Sequence, residues 1–430
     1  PMSEGEIGRV GMAIDSLQDF ETAFQDIRMD KIGAGLTINA IASVMLAMYQ
    51  ATAEKFGYKK TQISATPQND ILKEIIGRGA WIYPVKPSIR LIGDTIEYAM
   101  QEMPRCNPVS VCGYHIRESG CTPAQEIAYA FLIAFTYIDE VIARGYQAED
   151  FVGRFSFNLN VFGNLWENVA KFRAARKLWA ILLKERYGVT DKKALLFRGI
   201  FGGGGSGMTK QQPENNIIRG AYYALTAALS SAQTTALCSF DEAYTIPTKR
   251  SALLSLRTFQ ILMDEIGLRD TVDPLAGSYF METLTKEMEE KILEEMKQIE
   301  QLGGMVEAIT TGYIQAEVAR QAYEFEKKLQ EGSVTKVGVN KYTEGVDMDV
   351  ELHSYDQQWA NYQIEQLKKL KETRDNTQVK QSLQDLKQAA KGNDNIMPYL
   401  VTSCKKYATV GEMSNVFRDV FGEFVEPNIF

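Results

Sequence analysis

Histidine is nearly absent from this chain. Only His115 and His353 occur among 430 residues, which argues against a histidine-rich metal site. Cysteine is sparse too: Cys106, Cys112, Cys121, Cys238 and Cys404 form no CxxC pair, and an odd, widely spaced set gives no disulfide framework. Positive charge is not in excess. Against 55 Asp and Glu stand 47 Lys and Arg, a net charge of −8, which argues against a broad basic surface for nucleic acid. Long hydrophobic runs are also missing, since the longest, Ala128 to Ile138, is too short to span a bilayer. No charged-then-apolar leader opens the sequence. The expectation is a soluble, cytoplasmic protein with reduced thiols, no metal site of its own, and neither nucleic acid nor membrane as a partner.

What is present has the proportions of an ordinary globular chain, 45% hydrophobic and 24% charged, so pattern decides the class. From Lys31 to about Glu242, short β-rich runs alternate with helical patterns, the signature of βα units around a parallel sheet. Strands are predicted at residues 32–38, 62–66, 109–114, 153–158, 194–200 and 233–239. Helical patterns lie between them, such as residues 41–57, which end in a glycine, and residues 166–187. An open doubly wound sheet and a (β/α)8 barrel both fit this alternation. After Asp273-Pro274-Leu275-Ala276-Gly277-Ser278 the pattern changes to long, charged, amphipathic segments, read as helices with solvated faces. A second helical block is predicted at residues 355–391, after an extended connector.

Active sites of parallel α/β folds form at the carboxyl ends of the strands. The residues predicted there are Asn39, Gln68-Asn69-Asp70, Tyr114-His115, Asn158, the run Gly202-Gly203-Gly204-Gly205-Ser206-Gly207, and Asp241-Glu242. His115 is read as a general acid, a hydrogen-bond donor to a carbonyl oxygen, or a structural histidine. Arg78, about two helical turns beyond Asp70, suits bidentate capture of a carboxylate or phosphate. The glycine run formally contains GxGxxG, but no acidic residue closes the next strand at the usual distance and no GK[ST] follows. It reads better as a flexible loop that allows close approach to something large and flat.

The motifs TPQNDILKE with Arg78, PSIRLIGD, CGYHIRESG, FRAARKLW, TKQQPENNIIR, SFDEAYTIPT, DPLAGSYF, GVNKY and ATVGEM, taken in order, resemble the adenosylcobalamin-dependent acyl-CoA mutases. The similarity is to the large, catalytic subunit of the methylmalonyl-CoA mutase family, and it runs from Gly5 to Phe430. It implies a (β/α)8 barrel that admits acyl-CoA along its axis, with adenosylcobalamin across the carboxyl-end face, held on a separate cobalamin-binding domain or small subunit. A radical from the cofactor would then permit a 1,2-shift of the thioester carbonyl group. By matching position, His115 and Gln68 would polarise the migrating carbonyl, and Tyr114 would stand between corrin and substrate. Arg78 would clamp the free carboxylate of a methylmalonyl- or succinyl-type substrate; Arg154, Ser156 and Asn158 would also bind substrate. Glu242 would contact the ribose of the cofactor, with Gly202, Gly203, Gly204 and Cys238 beside it.

Departures from the family pattern accompany these matches. Polar residues normally beside the corrin are replaced at Ile200 to Gly205, a ribose contact is lost at Ala236-Leu237-Cys238, and Asn158 stands where an aromatic is common. They allow a bulkier acyl substrate, or a catalytically silent subunit that serves assembly. The chain opens where the family already has a long portion behind it, one that normally supplies the first two barrel strands. About six of eight strands are then expected, so the chain reads as a fragment or as one completed by a partner, in an oligomer. Residues 1–280 are expected to form this partial barrel and residues 281–430 a helical extension.

Overall fold

The computed structural model describes residues 5–345 and 348–427. In chain order the elements are α1 (Leu17–Ala23), β1 (Gly33–Leu36), α2 (Ala42–Lys55), β2 (Ser64–Pro67), α3 (Ile71–Gly77), α4 (Val85–Glu102), β3 (Ser110–Cys112), α5 (Gly113–Glu118), α6 (Pro123–Ile142), α7 (Ala148–Phe151), β4 (Ser156–Asn160), α8 (Leu165–Tyr187) and β5 (Gly199–Gly202). Helices alone follow: α9 (Asn215–Leu229), α10 (Lys249–Asp264), α11 (Tyr279–Gln301), α12 (Met305–Thr310), α13 (Tyr313–Gln330), α14 (Gln357–Thr373), α15 (Asn376–Lys391), α16 (Met397–Lys405) and α17 (Val410–Phe421).

The strands are short and all parallel, β1 paired with β2 and β3 with β4 and β5. Two backbone hydrogen bonds, Asn107 N–H to Ala65 O and Ser110 N–H to Gln68 O, both 2.9 Å, carry the order across from β2 to β3. Beyond β5 the chain makes only isolated parallel bridges, Ile200 with Thr234 and Gly203 with Leu237. Six extended segments therefore lie side by side in chain order, as repeated βα units require. Among the described residues no ladder joins β1 to the segment at Thr234–Leu237.

Alternation along the strands separates two faces. Ala65, Val111, Phe157 and Phe201 are buried against the helices. The other face is at least partly open and small or polar at Gly33, Gly35, Ser64, Thr66, Ser110, Ser156 and Asn158, with Ile200 its apolar exception. A sheet face of this kind forms a trough rather than a filled core.

Four of the predicted strands, the third to the sixth, change their bounds. The third strand stops at Cys112, because Gly113 opens α5; a Cβ on Gly113 would come within 2.9 Å of side chains of both Leu159 and Glu126. Tyr114 and His115 therefore stand in the first turn of a helix. The fourth strand begins at Ser156, after a 3-10 turn at Val152–Arg154, and runs on to Asn160. The fifth begins at Gly199 and continues into the glycine run. The sixth, predicted over residues 233–239, survives only as two bridges. The helical block at 355–391 breaks into α14 and α15, divided at Arg374-Asp375, where Asp375 caps α15.

Two cores hold the molecule. One joins β3, β4 and β5 to α3, α6, α8 and α11 to α13; the other joins α1, α2 and β2 to α15, α16 and α17. α11 buries Met281, Met288, Ile292, Met296 and Ile299 on one stripe and leaves its charges to solvent, as its pattern predicts.

Candidate active site

The turn from β2 into α3 builds the centre of the site. Asn69 adopts a left-handed φ of 52°, and the buried Asp70 that follows caps α3. The Asp70 carboxylate accepts from Cys112 N–H at 2.7 Å and from the Tyr137 hydroxyl at 2.6 Å, while Asp70 N–H donates to Asn39 Oδ1 at 3.0 Å. The carboxyl ends of β1, β2 and β3 are thus tied at one residue. Burial pushes the Asp70 carboxyl up to about 6, although Lys73 and these hydrogen bonds favour its ionised form.

Within the first turn of α3, Lys73 is fully buried and donates to Gln68 Oε1 at 2.7 Å and Glu74 Oε1 at 2.5 Å. Its Nζ also lies 3.0 Å from His115 Nδ1. Asn39 Nδ2 donates to Gln68 Oε1 at 3.0 Å and also to Glu74 Oε1. Burial, then the positive charges of Lys73 and Arg78, lower His115 to about 3. The imidazole is therefore neutral at physiological pH, which favours a hydrogen-bond donor over an imidazolium acid. Arg78, at the end of α3, is 47% exposed and lies 3.5 Å from Glu74 Oε1. Its guanidinium remains open to an anion.

Tyr114 leans edge-on against His115, ring centroids 5.0 Å apart. It borders a cleft of about 450 Å³ whose lining includes Asn158, Ile200, Gly202, Gly203, Cys238 and Glu242. Burial, with Cys238, Glu118 and Glu242 nearby, pushes the Tyr114 hydroxyl up, so it stays protonated. Burial, then Glu118 and Asp241, raise the Glu242 carboxyl.

The glycine run is packed against the chain's own atoms. A Cβ on Gly203, at φ +88°, would lie 2.1 Å from Tyr114 Cε2, and one on Gly202 would lie 2.1 Å from Ala236 O. Its amides are also occupied: Gly203 N–H reaches Ala236 O at 2.9 Å, Gly204 N–H reaches Asn160 Oδ1 at 2.8 Å and Ser206 N–H reaches Glu118 Oε2 at 2.5 Å. Amides satisfied in this way do not cradle phosphates, so a dinucleotide loop is not formed. What lies against Gly203 is the edge of the Tyr114 ring, at Cε2.

Gln68, Arg78, Tyr114 and His115 come together at the carboxyl ends of the strands, with Asn158, Cys238 and Glu242 around the adjoining cleft. Arg154 and Ser156 are not brought to that end. Ser156 opens β4 on the same face as Asn158, two residues before it, whereas Arg154 lies in the 3-10 turn that precedes the strand and donates to Ala99 O at 3.1 Å. His353 lies in the exposed connector, its N–H on Thr245 Oγ1. Sequence reasoning missed Lys73, Glu74, Glu118 and Asn160. For the first two a signal existed: within ILKEII only positions 73 and 74 are polar, and a lysine in a first helical turn opposes the helix dipole.

The cleft, partly open and beside the neutral imidazole of His115, has room for a group the size of the adenosyl portion of adenosylcobalamin. Glu242 and Tyr114 offer polar groups at its wall, and Gly203, lacking a Cβ, leaves room for the edge of the Tyr114 ring.

Comparison with known proteins gives concordant matches. A family model described as methylmalonyl-CoA mutase matches residues 1–423. The chain is 38% identical over 432 residues to the 2-hydroxyisobutanoyl-CoA mutase large subunit of Aquincola tertiaricarbonis, covering 100% of this chain and 77% of that protein. It is 36% identical over 428 residues to the methylmalonyl-CoA mutase of Rhizobium meliloti, covering 99% of this chain and 60% of the relative. The Escherichia coli methylmalonyl-CoA mutase is 35% identical over 429 residues, again with 60% of its length covered. The chain thus spans well under two thirds of these two methylmalonyl-CoA mutases.

Proposed function

Because the chain belongs to the methylmalonyl-CoA mutase family, we propose that it is the substrate-handling portion of an adenosylcobalamin-dependent isomerase that moves the thioester carbonyl group of a carboxylated acyl-CoA. The observation that carries this reading is the pairing of His115 with Gln68 through one buried lysine, beside an arginine left open to solvent. A neutral donor pair suits a carbonyl oxygen whose negative character grows as the group migrates. Arg78 suits the second carboxylate of a methylmalonyl- or succinyl-type substrate, because a guanidinium fork matches that group bidentately.

The small, polar face at Ser156 and Asn158, with Arg154 in the turn before it, supports entry of the coenzyme A arm from the amino ends of the strands. The six parallel segments support completion to a (β/α)8 barrel by further strands, with residues 1–280 as the catalytic layer and 281–430 as a helical extension around it. When bound, adenosylcobalamin supplies the radical chemistry; Tyr114, Glu242, Cys238 and the backbone at Gly202 and Gly203 are the residues of this chain that would face it, whereas Gly204 is buried with its N–H on Asn160. The large-subunit name of the Aquincola relative supports a separate cobalamin-binding subunit as partner. No described helix is long and apolar enough to cross a membrane, and the five cysteines are free, which supports a cytoplasmic location.

A bulkier acyl group is the second reading, favoured by the cleft beside Asn158 and Ile200. One experiment addresses both: the full-length protein with a cobalamin subunit, assayed across an acyl-CoA panel, should isomerise carboxylated substrates fastest. Preference for a substrate with a larger acyl group would favour the second, and no coenzyme-dependent turnover would leave a silent assembly subunit. His115→Ala should lower kcat by about 100-fold or more.

A further inference from the structure

We propose that Lys73 is a positioning residue that turns both His115 and Gln68 into hydrogen-bond donors toward the reacting carbonyl, by occupying the acceptor atom of each. The inference rests on the mutase reading for its consequence in catalysis, but the geometry stands on its own. An ammonium has three hydrogens and no lone pair. Lys73 Nζ has three near partners: Glu74 Oε1 at 2.5 Å, Gln68 Oε1 at 2.7 Å and His115 Nδ1 at 3.0 Å. Each hydrogen has one acceptor, so His115 Nδ1 must present its lone pair and the ring proton must sit on Nε2. Gln68 Oε1 also accepts from Asn39 at 3.0 Å. With its oxygen engaged twice, the Gln68 amide has only its two N–H bonds left to offer.

The lysine itself does not reach a substrate, because its side chain is fully buried. Its charge is balanced by the buried carboxylate of Glu74, as a cation in the interior requires. The charged and titratable groups facing the imidazole are Lys73 and Arg78 from α3 and its end, Cys112 from β3, with Sγ 3.4 Å from Nδ1, and the neighbouring Tyr114 ring. The two cations oppose a second proton on the ring. Lys73 therefore fixes the tautomer and keeps it neutral.

The test uses the full-length protein labelled with 15N-histidine, the His115 signals being assigned by their loss in His115→Gln. The expected spectrum has an unprotonated Nδ1 and a protonated Nε2, unchanged from about pH 8 to about pH 5. In Lys73→Met both neutral tautomers should appear and the ring should titrate at higher pH. Because that variant leaves Glu74 buried without its counter-ion, Lys73→Met/Glu74→Gln is the second variant and should give the same result. Its kcat should fall by about 100-fold with KM changed less than about threefold. A proton on Nδ1 in the wild type, or wild-type tautomer and titration in the double variant, would overturn the proposal. Expected spectra without turnover of any acyl-CoA would instead overturn the mutase reading and leave the tautomer assignment standing.

Discussion

Tyr114 owes its place to a glycine just past the end of β5. The ring lies where a Cβ of Gly203 would be, 2.1 Å from Cε2, and Gly203 has a φ of +88°, so alanine there would meet both a steric clash and a left-handed backbone. Gly203→Ala should lower the thermal midpoint and the coenzyme-dependent turnover together, by displacing Tyr114 from His115. Gly35→Ala is the control, since a Cβ there meets nothing within 4 Å and no change in midpoint is expected. Equal midpoints for the two variants would refute the packing argument. At this scale the sequence revealed His115 through its rarity, and Gln68, Arg78 and Tyr114 through their motifs. It hid Lys73, because a lysine in a helical pattern reads as solvated. Its burial depends on β3 and α5, which return to cover it some 40 residues later in the chain, with Nζ meeting the ring of His115 across 42 positions.

Helix boundaries were more legible than strand boundaries, because helices carry their own stop and start signals. α8 begins after Asn164, whose side chain accepts from Glu167 N–H, and ends at Gly188 with φ +67°, both written in the sequence. Strand ends depend on what the neighbouring strand does, so β3 stopped early and β5 ran on into glycines. The last helix combines both kinds of information. Its capping box, Thr409 with Glu412, is a local pattern, whereas Arg374 reaches the same carboxylate from the α14–α15 junction, at 2.8 Å and 2.5 Å. Burial opposes ionisation of Glu412, but the hydrogen bonds from Arg374 and Thr409 overcome it and hold the carboxyl at about 2. A folded value below the ordinary 4.5 gives stability that is present above pH 4.5 and lost as pH falls through about 2. Glu412→Gln should therefore destabilise the protein at neutral pH by about 1–3 kcal/mol. The gap between wild type and variant, followed by denaturant titration, should narrow below pH 4.5; a gap independent of pH would show that the ion pair is not its source.

Across the whole molecule, the C-terminal helices brace the first strands. Ile63 and Ala65 of the β2 region, together with much of α2, share one core with Leu386, Met397, Leu400 and Phe417, while β3 to β5 belong to the other. Arg90 adds a polar joint, with Nη1 on Ala390 O at 2.6 Å and Nη2 on Ala389 O at 3.0 Å at the end of α15. The amphipathic stripes announced these helices, but no stripe names its partner, so their docking on α2 was invisible in the sequence. Function makes this docking consequential, because β1 and β2 carry Asn39 and Gln68 into the site, whereas His115 comes from the other core. Leu400 has no exposed surface, and Leu400→Ala should cost about 2–5 kcal/mol through the cavity it leaves. Hydrogen exchange should then accelerate first in α1, α2, β1 and β2, with β3 to β5 still protected. Loosening Gln68 while His115 stays fixed should lower turnover more than the loss of folded protein accounts for. Equal acceleration in all five strands would mean that the two cores unfold as one, and that turnover should track the folded fraction alone.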